Sequence, residues 1–335
     1  MRTKQKFWRN RRCIVTGGVG FIGSHLCSQL HELGAEVIAV DRERVTRGTL
    51  FWHLNRTKDI EVVEQDISSP SGKDVIAGCK PDFIFHLAAE PFAPFTSQYP
   101  LESYLANVVT TVNALEAARE CGAESFILAS SACVFGTVKK SPLKPNDKQV
   151  EPEHYYSITK REAEAQVRIF SRLYGLGGVI CRFGNVYGPG DRHFGRIVPR
   201  VCREVLLERK ATVKLKRSSG QSIFEFLFVS DAVEGMIFSA ENAKSHLELF
   251  QFSGGVNSRK SVRCIAEMTS EMIDGERRPV QVNQAHSERT VVKFLDTSDA
   301  ERRLNWKPSY TLASGLKLTV DWYRQFIGQL TPREV

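Results

Sequence analysis

Short apolar runs alternate with segments whose apolar residues recur every three to four positions, the pattern of strands traded with amphipathic helices. Cys13-Ile14-Val15 is strand-like, and Leu26, Leu30 and Leu33 behind it carry helical spacing. Glu36-Val37-Ile38-Ala39-Val40 predicts a second strand, residues 61 to 64 a third, Phe83 to Glu90 a fourth and Ser125 to Ser131 a fifth. Helices are expected from about Pro100 to Cys121, with Leu115 and Ala118 inward, and from Tyr155 onward, with Ala163, Val167 and Phe170 inward. Phe250-Gln251-Phe252-Ser253 reads as a late strand. Such alternation predicts an α/β fold built on a doubly wound parallel sheet.

Between the first strand and its helix lies Val15-Thr16-Gly17-Gly18-Val19-Gly20-Phe21-Ile22-Gly23-Ser24, so the glycines sit on a strand-to-helix turn. Gly17 permits the tight turn, Gly20 removes a Cβ that would block a pyrophosphate, and Gly23 lets the helix lie close to the strand with its amides toward phosphates. Phe21 and Ile22 share that turn and are assigned to the cofactor with it. Asp41 ends the second strand, where a carboxylate takes both ribose hydroxyls of NAD and repels a 2′-phosphate. Arg42 and Arg44 just beyond leave room for NADP, so NAD is the expected cofactor and NADP the lesser alternative. Asp66-Ile67 is placed to meet the adenine. Leu87-Ala88-Ala89 ends the fourth strand in small residues over which the cofactor can pass. His86 is expected to pack or hydrogen-bond inside. The fold expected is therefore a Rossmann-type sheet.

Ser131 ends the fifth strand, and Tyr156 and Lys160 stand one helical turn apart on one face. A Tyr-x-x-x-Lys pair alone is commonplace on solvated helices; the dinucleotide turn and Ser131 give it meaning. Lys160 is expected to favour the phenolate, drawing Tyr156 down from about 10. Tyr156 could then take the proton of a substrate hydroxyl held by Ser131 while the carbon gives its hydride to NAD. The reaction class is carbinol oxidation and its reverse.

The chain has 335 residues, 42% hydrophobic and 25% charged, an ordinary globular composition without an apolar run of membrane-spanning length. The basic amino-terminal arm runs straight into a strand, without the apolar segment of a secretion signal, so a cytoplasmic location is expected and no membrane. A net charge of +8 invites nucleic acid. The excess lies largely in that arm and between Arg209 and Arg217, which fits a solvated arm and a site for a phosphorylated small molecule better than a nucleic-acid surface. Eight cysteines without a Cys-x-x-Cys pair suggest reduced, buried thiols and no metal site.

Thr16 to Gly23, Leu87-Ala88-Ala89, Asn107 to Asn113, Ser130 to Gly136, Tyr156 to Lys160 and Arg182 to Asp191 together resemble the extended short-chain dehydrogenase/reductase family, in its NAD-dependent nucleotide-sugar epimerase/dehydratase branch. The resemblance spans nearly the whole chain, including Asp296 to Pro308. It implies that Asn107 belongs to the cofactor site, that Phe183 lies by the nicotinamide, and that Glu90, Asn185, His193 and Arg196 face the substrate. Segments flanking Arg192 to Pro199 are similar to CDP-glucose 4,6-dehydratases. Three departures matter. Those dehydratases carry an acid after the Ser/Thr, where this chain has Ala132 and Cys133. Ser131-Ala132-Cys133 is instead similar to GDP-mannose 3,5-epimerases and GDP-fucose synthases, where the cysteine moves protons beside a 4-ketone; Cys133 is either such an acid/base or a small filler. The usual partner base falls near Arg196 or Ile197, and arginine does not shuttle protons, which leaves His193. Finally, Phe224 stands where the family places an arginine on the diphosphate, so Lys216, Arg217 or Arg289 would have to replace the charge, or Phe224 would stack on a base or a less polar substrate.

By that resemblance residues 1–181 and 226–254 form the NAD-binding domain, and 182–225 and 255–335 a smaller, interleaved α/β substrate lobe. A homodimer is expected through the helices after Pro100 and Tyr155. The leading reading is an NAD-dependent epimerase of a nucleotide-linked or otherwise phosphorylated sugar working through a 4-keto intermediate. A 4,6-dehydratase or 4-ketosugar reductase is the alternative among enzymes, and a degenerate protein binding NAD and RNA is the alternative of another class.

Overall fold

The computed structural model describes residues 6–55, 59–138, 141–215, 221–243, 246–282 and 291–330. Along the chain come β1 (Arg12–Thr16), α1 (Phe21–Glu32), β2 (Glu36–Asp41), β3 (Glu61–Glu64), β4 (Phe83–His86), α2 (Thr110–Cys121), β5 (Ser125–Ser131), α3 (Tyr155–Tyr174) and β6 (Gly177–Phe183). Then follow β7 (Asn185–Tyr187), α4 (Ile197–Leu206), β8 (Val213–Leu215), β9 (Ile223–Phe228), α5 (Val229–Glu241), β10 (Glu248–Phe252), β11 (Arg259–Ser261), α6 (Val262–Asp274), β12 (Val280–Val282), β13 (Val292–Lys293) and α7 (Leu312–Phe326).

Seven strands form one parallel sheet in the order β10-β6-β5-β4-β1-β2-β3. Its central strands are mostly apolar on both faces because helices cover both. Val15 faces Leu26 and Leu30 of α1, and its neighbour Ile14 faces Leu115, Ala118, Ala163, Val167 and Phe170 of α2 and α3. The inward positions read from helical spacing are buried except Leu33, which follows α1 and is half-buried. The strand order reverses between β1 and β4, and that is where an open cleft must form beyond the carboxyl ends.

Three boundaries differ from the sequence reading. The fourth strand stops at His86, and Leu87 to Glu90 run as loop over the sheet edge. The late strand begins earlier, at Glu248, and residues 226–228 belong to β9, which pairs with β7, β11 and β13 in a second sheet and not with the main one. The helix expected over 100–121 is broken by a π turn at Leu105–Val109. Inside that turn Asn107 accepts from Glu90 N (2.6 Å) and donates to Glu90 O (3.1 Å) and Thr159 Oγ1 (2.9 Å). The widened turn therefore carries the side chain that joins the β4 loop to α3, a use typical of π-bulges.

Buried polar groups tie these layers together. His86 bonds Thr16 Oγ1 (2.8 Å) and Thr111 Oγ1 (3.1 Å), and burial lowers its pKa to about 3, so it is a neutral structural ring. Arg182 of β6 grips Glu164 of α3 through Nε (2.8 Å) and Nη2 (2.7 Å), and Ser130 of β5 donates to the same carboxylate at 2.6 Å. The Arg182 fork also reaches Pro145 O at 2.8 Å, under the long connection between β5 and α3. Trp306 packs on Phe252 at 4.8 Å and donates to Asp231 O at 3.1 Å, which seats the tail.

Removing one member of the Glu164–Arg182 pair strands a charge that is 2% exposed. Glu164→Ala is expected to cost roughly 3–5 kcal/mol in chemical denaturation, whereas Glu164→Leu combined with Arg182→Met recovers most of it. A loss below about 1 kcal/mol, the ceiling for exposed pairs, would show that the pair does not hold α3.

Candidate active site

The reversal of strand order opens a cavity of about 1320 Å³ between the main sheet and the second one. At one end the glycine turn forms its floor. Gly17 has φ +69°, and a Cβ there would sit 2.8 Å from Ala88 N; a Cβ on Gly23 would lie 2.1 Å from Gly17 O. Only glycine fits either place. Gly20 caps α1 without any side-chain bond to the helix amides, and Phe21, Ile22 and Gly23 line the cavity beside it. These amides and the dipole of α1 suit the pyrophosphate of a dinucleotide. Farther along the same wall lie Asp41, Arg42, Asp66 and Ile67. The Asp41 carboxylate accepts from Val19 N and Glu43 N, each at 3.0 Å, so it is anchored to the turn that it serves. Asn113 donates to Ile67 O at 2.7 Å and holds the far side of the pocket.

At the other end Ser131, Tyr156, Lys160 and Phe183 share the wall with Leu87, Ala88 and Ala89. Packing of α3 on β5 and β6 brings them there. Lys160 Nζ donates to Ala129 O at 2.9 Å and lies 5.8 Å from the centre of the Tyr156 ring. Burial lowers the Lys160 pKa to about 8, against the opposing pull of Cys133 and Glu164. Burial pushes the Tyr156 phenol well up, Cys133 and Glu90 add to this, and Arg196 opposes it. The expected acidification of Tyr156 by Lys160 is therefore corrected. The cation that lowers the phenol against its burial is Arg196.

Three further residues stand elsewhere than expected. Cys133 belongs to the single turn Ala132–Phe135, whose cap Ser131 accepts from Cys133 N at 3.2 Å. It is absent from the cavity wall, and burial pushes its thiol up against Ser131, Lys160, Lys293 and Ser157. Asn107 is a buried brace behind the wall, as is Glu90, whose Oε1 accepts from Phe92 N at 3.1 Å.

On the second sheet's side the cavity is lined by Asn185, His193, Arg196 and Phe224. His193 stacks on Phe92 at 5.8 Å, and Arg196 pairs with the buried Asp191 at 2.9 Å. Arg217 and Arg289 lie outside the described residues. Sequence reasoning missed Gln65, Phe92, Thr110, Arg192, Arg200, Arg203 and Phe226, all on the wall. Of these only the helical spacing of Arg200 and Arg203 after Arg196 was readable. Among the described residues no group of three His, Cys, Asp or Glu could hold a metal ion, and no helix is long and apolar enough to cross a membrane. All eight cysteines are free.

Comparison with known proteins fits this geometry. A profile of the NAD dependent epimerase/dehydratase family matches residues 13–250. UDP-glucuronic acid decarboxylase 1 of Arabidopsis thaliana is 31% identical over 326 residues, 94% of this chain and 70% of that one. UDP-glucose 4-epimerase of Mycolicibacterium smegmatis is 29% identical over 317 residues, 93% of this chain and 98% of the relative. Among solved structures, the UDP-glucose 4-epimerase of Thermotoga maritima with UDP-glucose superposes with a TM-score of 0.82 at 27% identity, covering 94% of this chain and 99% of that one. With a glycine cradle, an anchored acid and a Ser-Tyr-Lys wall in one cleft, the chain belongs to the NAD-dependent epimerase/dehydratase family.

Proposed function

We propose that this protein is an NAD-dependent epimerase of a nucleotide-linked sugar that inverts C4 through a transient 4-keto sugar. The observation that carries the reading is the placement of Ser131, Tyr156 and Lys160 together on the wall of the cavity that the glycine cradle opens. Gly17, Gly20 and Gly23 would hold the pyrophosphate, Asp41 the adenosine ribose and Lys160 the nicotinamide ribose. Bound there, NAD would supply the acceptor and donor of a hydride at a carbinol carbon. As phenolate, with the charge of Arg196 acting against the burial that keeps the phenol neutral in the free protein, Tyr156 would accept the C4 hydroxyl proton and give it back, and Ser131 would hold that hydroxyl in line. Inversion requires that the ketone present its other face before reduction. Asp41, anchored with its charge toward the cleft, supports NAD over NADP.

Ala132 and Cys133 put no acid on the wall, which turns the reading away from 4,6-dehydration. With Cys133 behind the wall, proton exchange at C3 and C5 is disfavoured too. Exposed Tyr99, Leu101, Tyr104 and Leu105 near the start of α2, with Leu173 and Tyr174 at the end of α3, support a homodimer through these helices.

Incubated in D2O with UDP-, CDP- and GDP-hexoses, the protein is expected to yield the C4 epimer of one of them without carbon-bound deuterium. Label at C3 or C5, or loss of water or carbon dioxide, contradicts the reading. Tyr156→Phe should lower kcat by roughly 10²–10⁴-fold with NAD still bound; turnover within a few-fold of wild type removes the phenol from the chemistry.

The lysine can be checked apart from turnover. Because burial disfavours its ammonium, Lys160 keeps its proton below about 8 and loses it above, well short of the ordinary 10.5. In cofactor-free protein with 13C-methylated lysines, one NMR resonance should titrate near 8 and vanish in Lys160→Met. If every lysine titrates above about 10, Lys160 is not desolvated.

A further inference from the structure

The second sheet brings no cation to the cavity through β9. Phe224 and Phe226 alternate onto the wall, and Glu225 between them turns away to Arg259 at 2.9 Å. The facing helix does the opposite. Arg196, at the cap of α4, and Arg200 and Arg203 within it all line the cavity, spaced four and three residues apart on one face. The other face, with Val198, Val201, Cys202 and Val205, is buried in the core and fixes the helix in this orientation.

Each guanidinium is held but not used up. Arg196 gives Nη1 to Asp191 Oδ2 (2.9 Å), Arg200 gives Nε to Glu204 Oε1 (3.2 Å), and Arg203 Nε stands 3.1 Å from Glu208 Oε1. Glu204 is 7% exposed and its Oε2 has no hydrogen bond, so this carboxylate is committed to steadying Arg200. Among the described residues the terminal nitrogens of Arg200 and Arg203 make no hydrogen bond. Arg203 also lies 5.4 Å from the Phe194 ring, which restrains it further. Ile197 and Val198 place the first amides of α4 on the same wall, and no side chain caps that end. Fixed forks with free terminal nitrogens beside open helix amides make a site for phosphate oxygens.

We propose that Arg200 and Arg203, with Arg196 and the amino-terminal amides of α4, grip the diphosphate of a nucleoside diphosphate, so that the anion is bound from the helix and the aromatic strand opposite serves the base. The proposal rests on the nucleotide-sugar reading and adds residues to it. Arginine suits the task because its planar fork bonds phosphate with two parallel N–H groups, which lysine cannot do.

Full-length protein carrying its cofactor is titrated calorimetrically with UDP, CDP, GDP and dTDP and with the matching nucleosides. Wild type is expected to bind at least one diphosphate more tightly than its nucleoside. Arg200→Gln with Arg203→Gln should weaken that diphosphate by about 10- to 100-fold, with nucleoside affinity and bound NAD unchanged. Adding Phe224→Arg to the double variant should restore much of the loss, which a merely structural role would not allow. Should the double variant fold poorly by thermal melt, Arg200→Lys and Arg203→Lys are each expected to lose several-fold. Diphosphate affinity kept within about twofold in the glutamine variant, or a loss found in Arg217→Gln or Arg289→Gln instead, overturns the assignment and leaves the epimerase reading standing. Failure of wild type to bind any of the nucleotides overturns both.

Discussion

The buried pairing of Arg182 with Glu164 is the constraint on which the site depends. It joins the last strand before the second sheet to the helix that carries Tyr156 and Lys160, and Ser130 adds the strand that carries Ser131. Three consecutive elements, β5, α3 and β6, thus converge on one carboxylate behind the reactive wall. At such low exposure neither charge can rely on water, so the pair exists only if all three elements dock in one register. The positions of the serine, the phenol and the ammonium follow from that register.

The same desolvation sets the chemistry. A phenol and an ammonium buried side by side are both driven toward their neutral forms, the first upward and the second downward in pKa. In the protein alone, then, Tyr156 is a neutral hydrogen-bonding group and Lys160 a lysine near its titration point. Arg196, which keeps its charge, is the fixed positive group on the substrate side, and it is itself held by Asp191. Against that burial, Arg196 is the cation that favours the phenolate.

Much of this was legible in the sequence where local rules and tertiary needs agree. The glycine turn, Asp41, the small residues after β4 and the Tyr-Lys spacing each follow from backbone geometry that only a few residue types satisfy. The buried faces of α1, α2 and α3 followed from helical period alone. Legibility failed where a residue's role is fixed by something far away in the chain. Asn107 sits in a cofactor-like motif yet braces Glu90 and Thr159, because a π turn that no periodicity announces rotates it behind the wall. Cys133 follows Ser131 closely, but in the single helical turn there it does not line the cavity. Arg200 and Arg203 had readable spacing and no readable neighbour, since only the docking of α4 across the cleft shows which face is apolar core and which is wall.

The central claim is that the gathered hydroxyl, phenol and ammonium would serve the oxidation of a carbinol by NAD held in the glycine cradle. Its most direct test is a stopped-flow record of reduced-nicotinamide absorbance after the NAD-loaded protein is mixed with its nucleotide sugar. The account predicts a transient rise that decays as the product forms, and no rise in Ser131→Ala. Product formed by wild type with the cofactor oxidised throughout, or an undiminished rise in Ser131→Ala, would contradict it.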